Sequence, residues 1–328
     1  MLQYIARRVL YMIPTLIVIS LISFAIIQLP PGDYLTFYVA ELAAQGEDVD
    51  DATLQQLKDR YGLGLPWYQQ YFRWIGNIVL EGDFGQSFTW RRPVNDLIWD
   101  RIGFTMLITL ATTLFIWAVA LPIGVYSATN QYSVGDYLAT FFGFLGLATP
   151  NFLLALIMMY LAVKYFGQSV GGLFSPEFQD APWSLARFWD FLAHLWIPII
   201  ILGTAGTAGL IRIMRANLLD EIHKPYVITA RAKGVSERRL IWRYPVRVAM
   251  NPFISTIGWT LPALVSGSVI VSVVLNLPTT GPLLLQSLMQ QDMFLAGSFI
   301  LIVSSLTVVG TLISDILLAW LDPRIRYE

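Results

Sequence analysis

Residues 104–126 form the stretch FTMLITLATTLFIWAVALPIGVY, which contains no aspartate, glutamate, lysine or arginine. A helix needs about 20 consecutive, mostly apolar residues to cross the hydrocarbon core of a membrane. The same pattern recurs in five further uncharged runs, at 9–28, 137–163, 191–211, 252–277 and 294–314. We therefore predict an all-α integral membrane protein with six transmembrane helices.

The composition of the whole chain supports this class. Of its 328 residues, 56% are hydrophobic and 13% are charged, whereas a soluble chain carries roughly 25% charged residues. Mean hydropathy is +0.60. The sequence has no cysteine and only two histidines, His194 and His223, which excludes disulfides, cysteine nucleophiles and cysteine- or histidine-rich metal sites. The net charge of −1 argues against a nucleic-acid partner.

Two features of the runs need interpretation. The first run follows Arg7 and Arg8 and could be a signal peptide, but it is longer than a typical signal core and no A-x-A cleavage site follows, so we expect a retained helix. Prolines inside runs do not exclude spanning helices, because neighbouring helices can satisfy the freed carbonyls. These prolines are Pro14, Pro122, Pro150, Pro198 and Pro262.

The distribution of basic residues predicts the orientation. If the N-terminus is cytoplasmic, the inner segments carry thirteen lysines and arginines, whereas the short outer loops 164–190 and 278–293 carry two. Short cytoplasmic loops are enriched in these residues. We therefore expect both termini to be cytoplasmic. The chain then divides into 1–28 with the first helix, an extracytoplasmic helical segment 29–103, and a five-helix core 104–328 with an inner loop 212–251.

The outer segment 29–103 has eleven acidic and six basic residues. Leu54, Leu57 and Tyr61 recur at helical spacing, and a second helix is expected to begin at Pro66, with aromatic residues along it. Two interpretations compete: a cap that packs on the outer membrane face, or a docking surface for an extracytoplasmic partner. Aromatic stripes at helical spacing favour packing.

The inner loop 212–251 has nine basic and three acidic residues. Pro225 is a plausible first helical residue, Gly234 interrupts the pattern, and Ser236 can begin a second short helix. Such a helix–glycine–helix element could anchor to anionic lipid, which its charge alone favours. It could also present a rigid surface to a cytoplasmic protein.

In the same loop, Tyr226-Val-Ile-Thr-Ala-Arg-Ala-Lys-Gly-Val-Ser-Glu-Arg-Arg239 resembles the coupling loop of permeases of bacterial ATP-binding-cassette (ABC) importers, in the dipeptide/oligopeptide/nickel branch. The resemblance continues in Tyr4-Ile-Ala-Arg-Arg-Val-Leu-Tyr-Met-Ile-Pro14, Gly82-Asp-Phe-Gly-Gln-Ser-Phe88, Thr149-Pro150-Asn151-Phe152 and Asp322-Pro-Arg-Ile-Arg-Tyr327, so it covers nearly the whole chain. Ile228-Thr229-Ala230 depart from the Glu-Ala-Ala of the general motif, and Pro278-Thr279-Thr280-Gly281 from the usual Pro-Gly-x-Gly.

The resemblance implies the first of two permease subunits, a transport subunit with no catalytic residues of its own, in the bacterial cytoplasmic (inner) membrane. Its implied partners are a second homologous permease in a heterodimer, one or two cytoplasmic ABC ATPases that hold ATP and Mg, an extracytoplasmic solute-binding protein, and lipid. Peptides are the expected substrate, with oligosaccharides or a nickel chelate as alternatives. The implied ATPase-coupling residues are Thr229, Ala230, Arg231, Ala232, Lys233, Gly234, Val235, Ser236, Glu237, Arg238 and Arg239.

The residues themselves bear on mechanism. None of the four lysines is followed by Ser or Thr, so the chain lacks the Gly-x4-Gly-Lys-[Ser/Thr] loop that cradles ATP phosphates. An ion-coupled transporter or a membrane enzyme would need ionisable residues within the spans, and the six runs contain no Asp, Glu, Lys or Arg. Ser266, Ser268 and Ser272 could line a path. The small residues at 203–209 favour close helix packing instead.

Overall fold

The computed structural model describes residues 2–28, 65–87, 89–167, 171–251, 253–255, 269–290 and 292–321. Within these residues the protein is helical, and the only β-type pairing is a single bridge between Gln86 and Pro93. The all-α prediction is confirmed. The helices are α1 (Leu2–Gln28), α2 (Trp67–Gly76), α3 (Val94–Thr129), α4 (Val134–Ala148), α5 (Asn151–Leu161), α6 (Leu185–Ile222), α7 (Pro225–Ala232), α8 (Glu237–Arg243), α9 (Pro245–Ala249), α10 (Val269–Val274), α11 (Thr280–Met289) and α12 (Met293–Leu321).

Four of these helices, α1, α3, α6 and α12, are long and apolar enough to cross a membrane. They contain four of the predicted runs, which supports a multi-pass membrane protein. Pro14, Pro122 and Pro198 lie inside continuous helices, as expected. Most of the fifth run, with Pro262, lies outside the described residues. The number six and the orientation of the termini therefore remain predictions.

The third uncharged run, 137–163, does not form one continuous helix. Helices α4 and α5 meet at 103° across Thr149 and Pro150, as a broken span or a re-entrant loop. Thr149 is extended, with φ −84° and ψ 120°, which is the conformation that a residue before proline favours. Pro150 has no N–H for a helical hydrogen bond and becomes the residue from which α5 begins.

The packing divides the described residues into two compact units. The first unit comprises Met1–Arg7, Phe104–Pro282 and Val309–Glu328, and the second comprises Arg8–Gly103 and Leu283–Val308. Each unit has buried apolar cores of its own. The first unit contains the loop 212–251, on which the functional argument rests.

In the second unit, α2 is amphipathic as its aromatic residues predicted. Tyr71 and Trp74 are buried, with ring centroids 5.6 and 5.7 Å from that of Phe24 in α1. Trp67 and Phe72 are exposed. Packing therefore explains one face of α2 and leaves the other face open. The predicted helix at Leu54–Tyr61 lies outside the described residues.

Candidate functional site

The candidate site is formed by residues 225–243, which we call the helical knob. Helix α7 begins with Pro225 at its first position, and α8 begins directly after Ser236. Proline suits the first helical position because its missing N–H would have no helical partner there. The predicted helix–glycine–helix pattern is confirmed at its start, at its interruption and at its second helix.

The turn between the two helices is a Schellman motif. Gly234 has φ +81°, a left-handed conformation that residues with a side chain rarely adopt. The N–H of Gly234 donates to the carbonyl of Arg231 at 3.0 Å, and the N–H of Val235 donates to the carbonyl of Ala230 at 3.4 Å. These two bonds satisfy carbonyls that the end of α7 would otherwise leave unpaired. The angle between α7 and α8 is thus fixed by the backbone itself.

A small apolar core holds the two helices together. Val227, Ala230 and Leu240 are buried, and the partly buried Val235 and Tyr244 pack against them, among others. Val227 and Leu240 are completely inaccessible to solvent. The knob is therefore a packed element and not merely two surface helices in sequence.

Two charged contacts brace the knob. Arg231 donates from Nε and Nη2 to the carboxylate of Glu237 across the turn, with the Nη2 bond at 3.2 Å. This hydrogen bond lowers the pKa of the exposed Glu237 carboxyl. At the base, Glu221 accepts a hydrogen bond from Lys224 and one from the Tyr226 hydroxyl at 2.5 Å. Burial, followed by the bond to Glu221, raises the pKa of Tyr226.

The outer surface of the knob carries cations without partners. Lys233, Arg238 and Arg239 are exposed, and none of their side chains has a hydrogen bond or ion pair with another described residue. Ile228, with 54% of its surface exposed, adds an apolar side chain on α7, which ends directly before Lys233. The knob therefore offers apolar and cationic groups on a rigid frame, a combination suited to a groove on another macromolecule.

A cavity of about 580 Å³ lies in the first unit, between α3, α4 and α6. Its lining is mostly apolar, with Thr204 and Thr207 of α6 as the hydroxyl-bearing residues besides Tyr126. Of the glycines in 203–209, Gly203 and Gly206 pack closely against α3, whereas an added methyl group at Gly209 would meet no atom within 4 Å. A methyl group at Gly203 would lie 2.7 Å from Phe115, and one at Gly206 would lie 2.8 Å from Ile116.

The proposed path residues are only partly described. Ser272 is buried in α10, and its hydroxyl has no hydrogen-bond partner among the described residues. Ser266 and Ser268 lie outside the described residues. A path along these serines therefore remains a prediction.

An ion pair between a buried carboxylate and a partly exposed arginine joins α4 to α6, and no sequence pattern indicated it. Asp136 in the first turn of α4 accepts from Arg215 of α6 at 3.0 Å (Nε to Oδ1) and 2.9 Å (Nη2 to Oδ2). The two residues are 79 positions apart, so no local motif signals the contact. In the sequence, Arg215 is simply one of the nine basic residues of the inner loop 212–251.

These features define a class: a helical, multi-pass membrane protein with a braced cationic knob and no ATP-cradling loop. Residues 120–327 match the family described as binding-protein-dependent transport system inner membrane component, and residues 1–109 match the N-terminal part of such membrane components. The chain belongs to this family.

Curated relatives match along their whole length. The oligopeptide transport system permease protein AppB of Bacillus subtilis is 39% identical over 331 residues, covering 100% of both chains. The glutathione transport system permease protein GsiC of Escherichia coli K12 is 32% identical over 330 residues, again covering 100% of both. A structure titled as inward facing conformations of the MetNI methionine ABC transporter has a TM-score of 0.50 at 15% identity, covering 66% of this chain and 93% of the other. That likeness concerns the fold.

Family membership assigns the chain its general role. It is a permease subunit of an ABC importer and not an enzyme, because in such systems ATP hydrolysis belongs to separate ATPase subunits. Members of this family work with ATPases and with solute-binding proteins in general.

Proposed function

We propose that this chain forms one half of the translocation path of an importer for di- and oligopeptides, and that the helical knob receives motion from a cytoplasmic ATPase. The full-length similarity to permeases named for oligopeptide and glutathione transport supports the peptide class. Both names describe peptide substrates. An oligosaccharide or a nickel chelate is the alternative cargo.

The observation that carries the coupling role is the construction of the knob. A Schellman turn, a small core and two charged contacts fix its shape, while the side chains of Lys233, Arg238 and Arg239 contact no group in the described ranges and can reach a partner. A preformed surface loses little conformational freedom on binding, so it can dock tightly and transmit force. Because α7 follows directly after α6, movement of the knob would act on a helix that runs through the permease.

The proposed assembly has several parts. The chain pairs with a second, homologous permease in a heterodimer in the bacterial cytoplasmic membrane, with both termini and the knob on the cytoplasmic side. One or two ATPases with ATP and Mg bind the knobs, and a solute-binding protein delivers peptide on the outer side. Residues 29–103 would lie on that outer side, and Ser266, Ser268 and Ser272 would line the path.

Reconstitution tests this proposal. The chain, its partner permease, the ATPases and the binding protein encoded nearby are placed in liposomes, and uptake of labelled di- and pentapeptides is measured. We expect uptake that requires both ATP and the binding protein, and competition by unlabelled peptides. Uptake driven by an ion gradient without ATP would refute the coupling role. Competition only by oligosaccharides or a nickel chelate would refute the peptide assignment.

A further inference from the structure

Asp136 holds two structural elements of the first unit with one carboxylate. Its side chain is only 4% exposed, and both oxygens accept hydrogen bonds from Arg215 in the two-bond geometry that makes arginine–carboxylate pairs strong and directional. Oδ2 also accepts the backbone N–H of Tyr132 at 3.0 Å. The carboxylate therefore connects the turn before α4 to Arg215, which lies near the C-terminal end of α6.

That turn has a strained backbone. Tyr132 has φ +60°, which is uncommon for a residue with a bulky side chain. Ser133 caps α4 by accepting the N–H of Asp136 at 3.2 Å. Such a conformation persists only where its surroundings hold it in place, and Asp136 provides a hydrogen bond that does so.

Arg215 lies between the cavity and the knob on one continuous helix. On its N-terminal side, α6 lines the cavity with Thr204, Thr207, Ala208 and Ile211. On its C-terminal side, Glu221 holds Tyr226 of the knob. Facing α6, helix α4 lines the same cavity with Gly135, Leu138, Ala139, Phe142 and Gly143.

Besides this pair, the described contact between α4 and α6 includes the Arg212 guanidinium, 5.7 Å from the centroid of the Phe144 ring, and several small residues. A methyl group at Gly143 would lie 3.9 Å from the Cβ of Ala208, and one at Gly146 would lie 2.7 Å from the Cγ2 of Thr204. Small side chains let helices approach closely and offer few projections against sliding. The ion pair adds a two-bond hydrogen-bonded contact between these helices, which opposes sliding and fixes their register.

We propose that the Asp136–Arg215 pair is the positioning contact that makes α4 move with α6 when the knob moves, so that two of the three helices lining the cavity shift together. This inference rests on the proposed coupling role of the knob. Without the pair, less of the motion of α6 would reach α4. ATP would still be hydrolysed, but less of the motion would open the path.

The first test uses Asp136→Asn and Arg215→Gln in the complete transporter, with peptide uptake and ATP hydrolysis measured together. We expect unchanged co-purification of the ATPase and a drop of roughly fivefold or more in peptide transported per ATP, the lower end of typical coupling effects. The double variant should be no worse than either single variant, because both remove the same contact. Asp100→Asn is the control, since Asp100 forms an exposed ion pair with Arg92 at 3.3 Å in the other unit.

A purely structural role predicts a lower yield or Tm with an unchanged ratio of transport to hydrolysis, and that result would overturn the inference. A second measurement does not depend on the ATPase. Because the chain has no native cysteine, spin labels at Tyr137→Cys and Ala216→Cys report the α4–α6 distance in liposomes. We expect Asp136→Asn to broaden this distance distribution and Asp100→Asn to leave it unchanged. An unchanged distribution in Asp136→Asn would refute the positioning role whether or not the knob binds an ATPase.

Discussion

Replacing Gly234 tests whether the shape of the knob is what its partner recognises. A methyl group on Gly234 would meet no atom within 4 Å, so Gly234→Ala causes no collision. Its effect comes from the backbone, because φ is +81° and an L-residue in the left-handed region costs about 1–2 kcal/mol. A destabilisation of that size lowers the ratio of formed to unformed turn by a factor of about 5–30. The hydrogen bond from Val235 to Ala230 is lost with the turn.

The side chain introduced should determine the size of the effect. Asparagine enters the left-handed region more readily than alanine, and β-branched valine does so least readily. We therefore expect the protection of amides 225–243 from hydrogen exchange to decrease in the order Gly, Asn, Ala, Val, and ATPase co-purification to follow the same order. Gly209→Ala in α6 is the matched control, since Gly209 also has no atom within 4 Å of an added methyl group and has no positive φ. There the substitution should be neutral or stabilise the helix by roughly 0.5–1 kcal/mol.

Two results would refute this reasoning. If Gly234→Ala exchanges like the unsubstituted protein, the turn is not held by its left-handed residue. If exchange rises through the series while ATPase co-purification and transport stay constant, the knob is not the coupling element.

Further predictions address the charge, the outer segment and the packing of α6. Reversing charge with Arg238→Glu and Arg239→Glu should weaken ATPase co-purification without changing amide exchange in the knob, since neither arginine has a partner among the described residues; loss of binding to anionic vesicles alone would favour lipid anchoring. Deleting residues 48–61 should weaken docking of the binding protein, measured as its stimulation of ATP hydrolysis, and a loss of yield alone would favour a cap. Gly203→Val should lower the Tm, because its Cβ would lie 2.7 Å from Phe115 and overpacking costs typically 1–3 kcal/mol.

The long helices could be predicted because their signal is local. An uncharged run of 20 residues identifies a spanning helix whatever its neighbours are, and α1, α3, α6 and α12 agree with this. Proline shows the limit of that signal. Pro122 lies inside a continuous helix, whereas Pro150 lies at the break between α4 and α5. Both prolines are in apolar runs. Whether the freed carbonyl finds another partner depends on tertiary contacts, and the sequence does not state them.

The candidate site divides in the same way. The knob could be predicted because helix caps are short-range: proline at the first position, glycine in the left-handed position and serine before the second helix. The contact of Asp136 with Arg215 could not, because it joins residues 79 positions apart. A count of charges in each loop does not show that these two residues form an ion pair.

The structure also changes what the nine basic residues of 212–251 mean. Arg215, Lys224 and Arg231 are paired with carboxylates inside the first unit, so part of their charge is balanced within the protein. Among the cations whose side chains have no partner in the described part of the chain, Lys233, Arg238 and Arg239 lie beside the Schellman turn that locks the backbone there. Electrostatic attraction to anionic lipid depends on the number of nearby charges and requires no fixed geometry. A rigid display of cations beside an exposed isoleucine has an advantage only where the partner has a fixed shape. The charge count alone favoured lipid anchoring, but the geometry of the turn favours a protein partner.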